Sequence, residues 1–400
     1  MSSVVQRVLV VHNHYRAASP SGENTVVRNH VELLRRAGLD VETYYRSSDE
    51  IDDFDARELS RLPLRPIHSP EDVAAFRRTL ESFRPDVVHL HNLYPLISPS
   101  IIRTAHAADV PVVQTVHNFR HVCASGIFFR DGRVCEDCHG RVVPWPAIAH
   151  ACYRGSRAQT AIMATSLVAH RSTFRLVDRF LPVSNAVADF LRETGVPAER
   201  MRTVPNAIPD PGAPGPPGDG FLFAGRLSHE KGAALLLDAW ERSELGSITT
   251  LRIAGDGAER PSLEASAQEL RGVVFEGQVT GTRIRALLEA CRAVVLPSLC
   301  YEALPTIVLE AFAAGRPVVT TRTRKSSDLV DEAVGWHCGV DAGALARTMI
   351  AANASPDIDE LGRAARRRYE TTFAPEPVLS ALIDAYEDAH SNPYHWARGS

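Results

Sequence analysis

Short apolar runs alternate with amphipathic stretches along most of the chain, and the two patterns have different periods. Runs rich in Val, Leu and Ile predict strands at residues 7–12, 41–46, 86–91, 112–117 and 180–184, with helices between them at 24–37 and 73–83. A second series follows. Its strands are expected at 221–225, 250–254, 273–276, 293–297 and 317–320, and its helices at 231–242, 261–270, 282–290, 307–314 and 342–352. Strands that are apolar throughout belong in a parallel sheet covered on both faces. Between the two series lies Val204-Pro-Asn-Ala-Ile-Pro-Asp-Pro-Gly-Ala-Pro-Gly-Pro-Pro-Gly-Asp-Gly220. So much Pro and Gly sustains neither helix nor ladder, so this segment reads as a linker. Two doubly wound α/β domains are therefore expected, at 1–205 and 206–375. A last helical pattern at 376–390, within a segment 376–400, is expected to pack back on the first domain. In such sheets ligands sit beyond the carboxyl ends of the strands, so two domains joined by a hinge are expected to face a central cleft.

Composition narrows the partners. The chain has 400 residues, of which 44% are hydrophobic and 23% charged, enough for two sizeable cores. Its net charge of −4 argues against nucleic acid as a partner. No apolar run approaches the ~20 residues that cross a bilayer. The start, MSSVVQRVLVVHNHY, lacks a small-residue cleavage site and reads as a first strand, not a signal peptide. A cytoplasmic location is the expectation, and the seven Cys are then thiols or metal ligands before they are disulfides. Of the 44 cationic residues only Lys231 and Lys325 are lysines. A position that keeps Lys in an arginine-dominated chain suits a compact point charge.

Three segments of the second domain carry chemistry. In Pro297-Ser-Leu-Cys-Tyr-Glu302-Ala-Leu-Pro-Thr-Ile-Val-Leu-Glu310, a strand ends, a loop follows, and a helix begins near Pro305. The N–H groups of residues 303–306 are then free to meet an anion. Glu310 has Val308, Leu309, Ala311 and Phe312 as neighbours, unlike an ordinary surface acid, and a carboxylate there can accept from two hydroxyls. In Phe223-Ala-Gly-Arg226-Leu-Ser-His-Glu-Lys231-Gly232, an Arg fork and a Lys point charge follow a strand, as a diphosphate requires. Ile253-Ala-Gly255-Asp256-Gly257 is a strand-end glycine turn.

With these residues the chain resembles the retaining GT-B glycosyltransferases of the family 4 type (glycosyl transferases group 1), whose marker is two Glu separated by seven residues. Glu302 and Glu310 have that spacing. The resemblance implies two Rossmann-like domains and transfer of a sugar from a nucleotide-sugar donor, UDP ahead of GDP, to a hydroxyl acceptor. That acceptor would be a glycan, a lipid-linked sugar or a secondary metabolite. It implies that Glu302 approaches the donor sugar and that Glu310 binds the ribose. Leu304, Pro305 and Thr306 would line sugar and phosphate, with Arg226 and Lys231 gripping the diphosphate. Gly255 would lie near the nucleoside and Val279, in Gly277-Gln-Val, near the base. Where the family has Gly-Phe-Gly after the first Glu, this chain has Ala303-Leu-Pro, which leaves the sugar open. In the first domain, Ser19-Pro-Ser-Gly22-Glu23 resembles the family's glycine loop, with one Gly where a pair is usual. His117, after the fourth strand, matches the His that contacts the transferred sugar. Asn206 matches a hinge Asn or is a plain turn residue.

A segment at 118–155 departs from the family. It holds Cys123, Cys135, Cys138 and Cys152, with His139 and His150 in reserve, and the four thiols are expected to hold a structural zinc. Arg154, Arg157, Arg171, Arg175 and Arg179 give this domain a basic band, which either docks an anionic acceptor or membrane surface or is a solvated face. No metal or other cofactor is expected for catalysis, because cations and a helix terminus can meet the leaving diphosphate. Charge growing on that diphosphate would be stabilised by Arg226, Lys231 and the 303–306 N–H groups. Two other readings share this layout: a nucleotide-sugar epimerase or phosphorylase, and a non-catalytic nucleotide-sugar binding module. The oligomeric state is left open.

Overall fold

A computed structural model describes residues 4–17, 21–323 and 329–394. The chain divides into two compact units, Met1–Ile127 with Glu136–Ala207 and Val378–Ser400, and Phe128–Cys135 with Ile208–Pro377.

The first unit is built on five parallel strands: β1 Arg7–His14, β2 Asp40–Ser47, β3 Val87–Leu90, β4 Val112–Val116 and, past a two-residue hairpin, β7 Arg179–Pro182. The hairpin strands, β5 Phe129–Arg130 and β6 Arg133–Val134, group with the second unit. The sheet order is β2-β1-β3-β4-β7, so the order reverses between β1 and β3. Val8, Leu9, Val10 and Val11 are each 0% exposed, as a central strand covered on both faces demands. The strand runs three residues beyond its apolar run, carrying His12, Asn13 and His14 to its carboxyl end. The helix Gly22–Arg36 follows, its first turn capped by Ser21 Oγ. The helix Pro375–Ser391 closes the unit: Val378, Leu382, Ala385, Tyr386 and Ala389 join the core of Val8, Val10, Val27, Val87 and Leu181. Arg179 is a correction to the basic band. It is 8% exposed and its Nε donates to Asp388 Oδ2 at 2.5 Å.

In the second unit six parallel strands, β8 Phe221–Ala224, β9 Leu251–Ala254, β10 Val273–Gly277, β11 Ala293–Leu296, β12 Val318–Thr321 and β13 Gly335–Cys338, stand in the order β10-β9-β8-β11-β12-β13. Strand β13 has no counterpart in the apolar pattern, because Gly-Trp-His-Cys is a short edge strand with no apolar run. The strand order reverses between β8 and β11, the switch point where α/β sheets bind ligands. The linker is fastened to this unit by Arg316, 1% exposed, whose guanidinium donates to the carbonyls of Gly215, Pro216, Leu288 and Glu289 at 2.9–3.1 Å.

Candidate functional site

The loops after β8 and β11 meet at the switch point of the second unit. Gly232 brings them together. Its φ is 72°, and a Cβ there would stand 2.0 Å from the Pro297 carbonyl oxygen, so only glycine lets the first loop press onto the second. For the same reason the helix expected from residue 231 starts at Ala233, after a single tight turn at His229–Lys231. Leu299 N–H donates to the Glu230 carbonyl at 2.9 Å across the seam. Lys231 then reaches the second loop: its Nζ donates to Glu302 Oε1 at 2.7 Å, and Ser298 Oγ donates to the same oxygen at 2.5 Å.

The two side chains are 29% and 14% exposed. Burial alone would lower the pKa of Lys231, but the charge of Glu302 and its hydrogen bond outweigh burial and raise it, so the ammonium stays charged. Cys300, in the same loop, is pushed up to about 12, chiefly by burial, and its thiol is neutral rather than nucleophilic. Arg226 is exposed in the β8 loop.

The helix Thr306–Ala313 starts behind Pro305, and among the described residues no side chain caps its first turn. Val308 N–H donates to the Pro305 carbonyl at 3.1 Å, and at the N–H groups ahead of it the dipole favours an anion. Leu304 is half-buried against the core formed by Val308, Leu309 and Phe312. Glu310, one turn into the helix among these side chains, has its pKa pushed up to about 7 by burial. On the other side of β8, Gly255 has φ 147°, and a Cβ on it would lie 1.9 Å from the Gly225 carbonyl. Its N–H donates to Gly277 O at 2.7 Å, and Val279 packs half-buried beyond. The loops after β8, β9 and β10 are thus stacked backbone on backbone.

In the first unit, His117 follows β4 and lines a pocket with Glu23, His91, Asn92, Gln114 and Arg120. Gly22 starts the helix whose next residue, Glu23, faces this pocket. Ser19 and Pro20 of the same loop lie outside the described residues. His117 Nε2 is 2.8 Å from His91 Nδ1, and burial lowers the pKa of His117 to about 3. Among the described residues, His91 Nε2 is buried without a partner. An orphaned acceptor is tolerated better than an orphaned N–H, so His91 is protonated on Nδ1 and donates to His117. His117 then carries its own proton on Nδ1.

Further in, His89 Nδ1 pairs with Tyr386 Oη and its Nε2 with Thr115 Oγ1, both at 2.7 Å. Glu23 accepts from Tyr15 Oη at 3.1 Å, and burial raises its pKa. Arg120 Nη1 donates to Asn92 Oδ1 at 3.1 Å. Burial opposes its charge, but Tyr15, Tyr153 and Glu23 outweigh burial and keep it ionised. Glu23, seen in the sequence only as the end of the glycine loop, and His91 and Arg120 had no role assigned from the sequence. One signal was available: His89 and His91 are two apart in β3 and its continuation, so both side chains point to one face.

Among the described residues no group of three or more His, Cys, Asp or Glu is placed to hold a metal ion. Cys123 Sγ lies 3.2 Å from Ser125 Oγ. Cys138 and Cys152 pack instead against an apolar cluster of Tyr94, Ala124, Ala147 and Met163, and Cys135 falls in the second unit. Apolar packing holds part of this segment. Lys325 lies outside the described residues. Asn206 is 4% exposed at the end of the first unit.

Comparison with known proteins agrees with this layout. Residues 21–207 match the glycosyl transferase 4-like domain and residues 218–354 match glycosyl transferases group 1. Glycogen synthase of Mycobacterium tuberculosis is 29% identical over 319 residues, covering 77% of this chain and 70% of its own. Among solved structures, sucrose-phosphate synthase from Thermosynechococcus elongatus superposes with a TM-score of 0.70 at 19% identity, over 96% of this chain and 99% of that one. HepE of Anabaena, solved in complex with UDP, gives a TM-score of 0.64 at 15% identity, over 94% and 98%.

Proposed function

From a chain that belongs to the GT-B glycosyltransferases, its first unit of the glycosyl transferase 4-like type and its second of group 1, we propose retaining transfer of a hexosyl group from a nucleoside-diphosphate sugar, UDP ahead of GDP, to a hydroxyl acceptor. The observation that carries this reading is the Lys231–Glu302 pair, set 2.7 Å apart beside an uncapped helix N-terminus at the switch point of the second unit. As the glycosidic bond breaks, negative charge grows on the departing diphosphate. Lys231 has one proton committed to Glu302 and two left for phosphate oxygens. Arg226 adds a fork, and the first N–H groups of the Thr306–Ala313 helix add fixed dipoles, so the charge meets groups already oriented for it. Glu302 holds Lys231 in place and presents its second oxygen toward the sugar. Glu310 accepts from the ribose hydroxyls, with Gly255 and Val279 bordering the nucleoside. His117, neutral and protonated on Nδ1, donates to a sugar oxygen. On the retaining path the leaving phosphate takes the acceptor proton on the same face. The UDP bound to HepE supports UDP as the first donor to try.

Thermal-shift screening of UDP- and GDP-sugars tests the donor, since a ligand that binds only the folded state raises its stability. Stabilisation by one class, followed by nucleoside diphosphate release that falls on the order of 10²–10³-fold in Lys231→Ala, is the expected result. Wild-type turnover by both Lys231→Ala and Arg226→Ala would refute it.

A further inference from the structure

A stretch of the first unit stands apart from both sites in composition. Residues 138–177 contain no Asp or Glu, in a chain with 48 such residues among 400, yet they carry Arg141, Arg154, Arg157, Arg171 and Arg175. All five are exposed. The acid that ends the stretch, Asp178, is 6% exposed and spends its carboxylate on the N–H groups of Val112 and Tyr394. The same stretch exposes three large apolar side chains: Val142 at 62%, Val143 at 48% and Trp145 at 57%. Two contacts tie the charges to them. The Arg141 guanidinium lies 5.6 Å from the Trp145 ring centroid, and Arg171 Nη2 donates to the Arg141 carbonyl at 2.9 Å. The turn is not loose. Pro144, Pro146 and Ala147 are buried beneath it, and the short helix Trp145–Ala149 packs on Arg157–Ala169, so the Val and Trp side chains are held outward.

We propose that this face docks on an anionic lipid bilayer, with Val142, Val143 and Trp145 entering the interfacial layer and the surrounding arginines on headgroup phosphates. Charge complementarity selects an anionic partner. The apolar side chains select among such partners. A nucleic acid or acidic glycan would use the arginines and stack at most on Trp145, leaving Val142 and Val143 in water, whereas a bilayer interface accommodates the arginines and all three apolar side chains. Among the described residues no helix is long and apolar enough to cross a membrane, so the contact would be peripheral. The inference does not depend on sugar transfer, since it needs no substrate.

The test is co-sedimentation of the full chain with phosphatidylcholine vesicles, with and without about one-quarter phosphatidylglycerol, at about 0.1 M salt. Pelleting with the anionic vesicles only, and release at about 1 M salt, are expected. Each arginine near the surface is worth about fivefold in partitioning, so the double variant Arg141→Gln/Arg171→Gln should lose roughly 25-fold. Val142→Ser/Trp145→Ser should lose at least as much. Trp145→Phe should keep pelleting but lose part of the vesicle-induced blue shift in tryptophan emission. The wild-type salt and lipid series stands even if a variant misfolds. Absence of pelleting, equal pelleting on neutral vesicles, or undiminished binding by folded Val142→Ser/Trp145→Ser would overturn the proposal. So would retention on a soluble polyanion such as heparin without any binding to vesicles.

Discussion

Glu310→Gln should make the second unit more stable above neutral pH while weakening the donor. Burial raises the Glu310 carboxyl from 4.5 to about 7. Below about pH 4.5 both folded and unfolded chains hold the proton, and the group contributes no pH dependence. Between 4.5 and 7 the unfolded chain releases its proton and the folded chain does not, so stability falls as pH rises. Above pH 7 the full penalty is present. At about 1.4 kcal/mol per pKa unit it is about 3 kcal/mol. Gln has no charge to bury, so the variant should gain up to about 3 kcal/mol at pH 8 and little at pH 5. For a unit of this size that is roughly 6–12 °C in the midpoint of its own transition. Calorimetry of both proteins at the two pH values reads it. In the same samples nucleotide binding should weaken, because the amide offers one acceptor where a carboxylate offers two. A gain at pH 5 equal to that at pH 8, or no gain at either, would refute the placement of an ionisable Glu310 in an apolar seat.

Four further outcomes follow from the structure. UDP affinity should rise from pH 5 to 7 and level off, with proton release measurable by titration calorimetry in buffers of different ionisation enthalpy, because Glu310 must ionise to accept two ribose hydroxyls. The first unit should show the opposite trend. Burial keeps His12 near 4 and His30 and His117 near 3, with His89 and His91 also well below 6.5, so the unfolded chain gains protons the fold refuses. Stability is then lost as pH falls below 6.5, with a slope approaching about 7 kcal/mol per pH unit if all five take part, each proton adding about 1.4. Replacing His91 with Leu should let His117 change tautomer, visible in nitrogen-detected NMR, and lower kcat. His91→Asn, which keeps a donor near the Nδ1 position, should restore both. Tyr386→Phe should cost about 1–2 kcal/mol by leaving His89 Nδ1 unpartnered inside the first unit, read by chemical denaturation.

What the sequence revealed follows from how each feature is encoded. The strands at 221–224 and 293–296 are continuous apolar runs, and those at 7–14 and 87–90 are built on the runs Val8–Val11 and Val87–Val88, because both faces are covered, and such runs stand out by eye. Strand β13 does not, since an edge strand of four residues needs no apolar run. Glu310 was visible because an acid among Val, Leu and Phe is out of place. The Lys231–Glu302 pair was not, since it joins residues 71 apart and depends on Gly232 fitting under the Pro297 carbonyl. The imidazole cluster was hidden for a similar reason: His12, His30, His89, His91 and His117 come from four elements and meet only in the fold. The crowding of four Cys into 30 residues suggested a zinc site, and among the described residues no three of His, Cys, Asp or Glu stand placed to hold a metal ion.

The most direct test is the anomeric configuration of the first sugar released. The wild-type chain is incubated with UDP-glucose or GDP-mannose, with water standing in for the hydroxyl acceptor, and proton NMR is recorded before mutarotation. Release of nucleoside diphosphate with an α-configured sugar, absent in Lys231→Ala, is expected. A β-configured first product, or an intact donor in the presence of saturated enzyme, would contradict retaining transfer at this site.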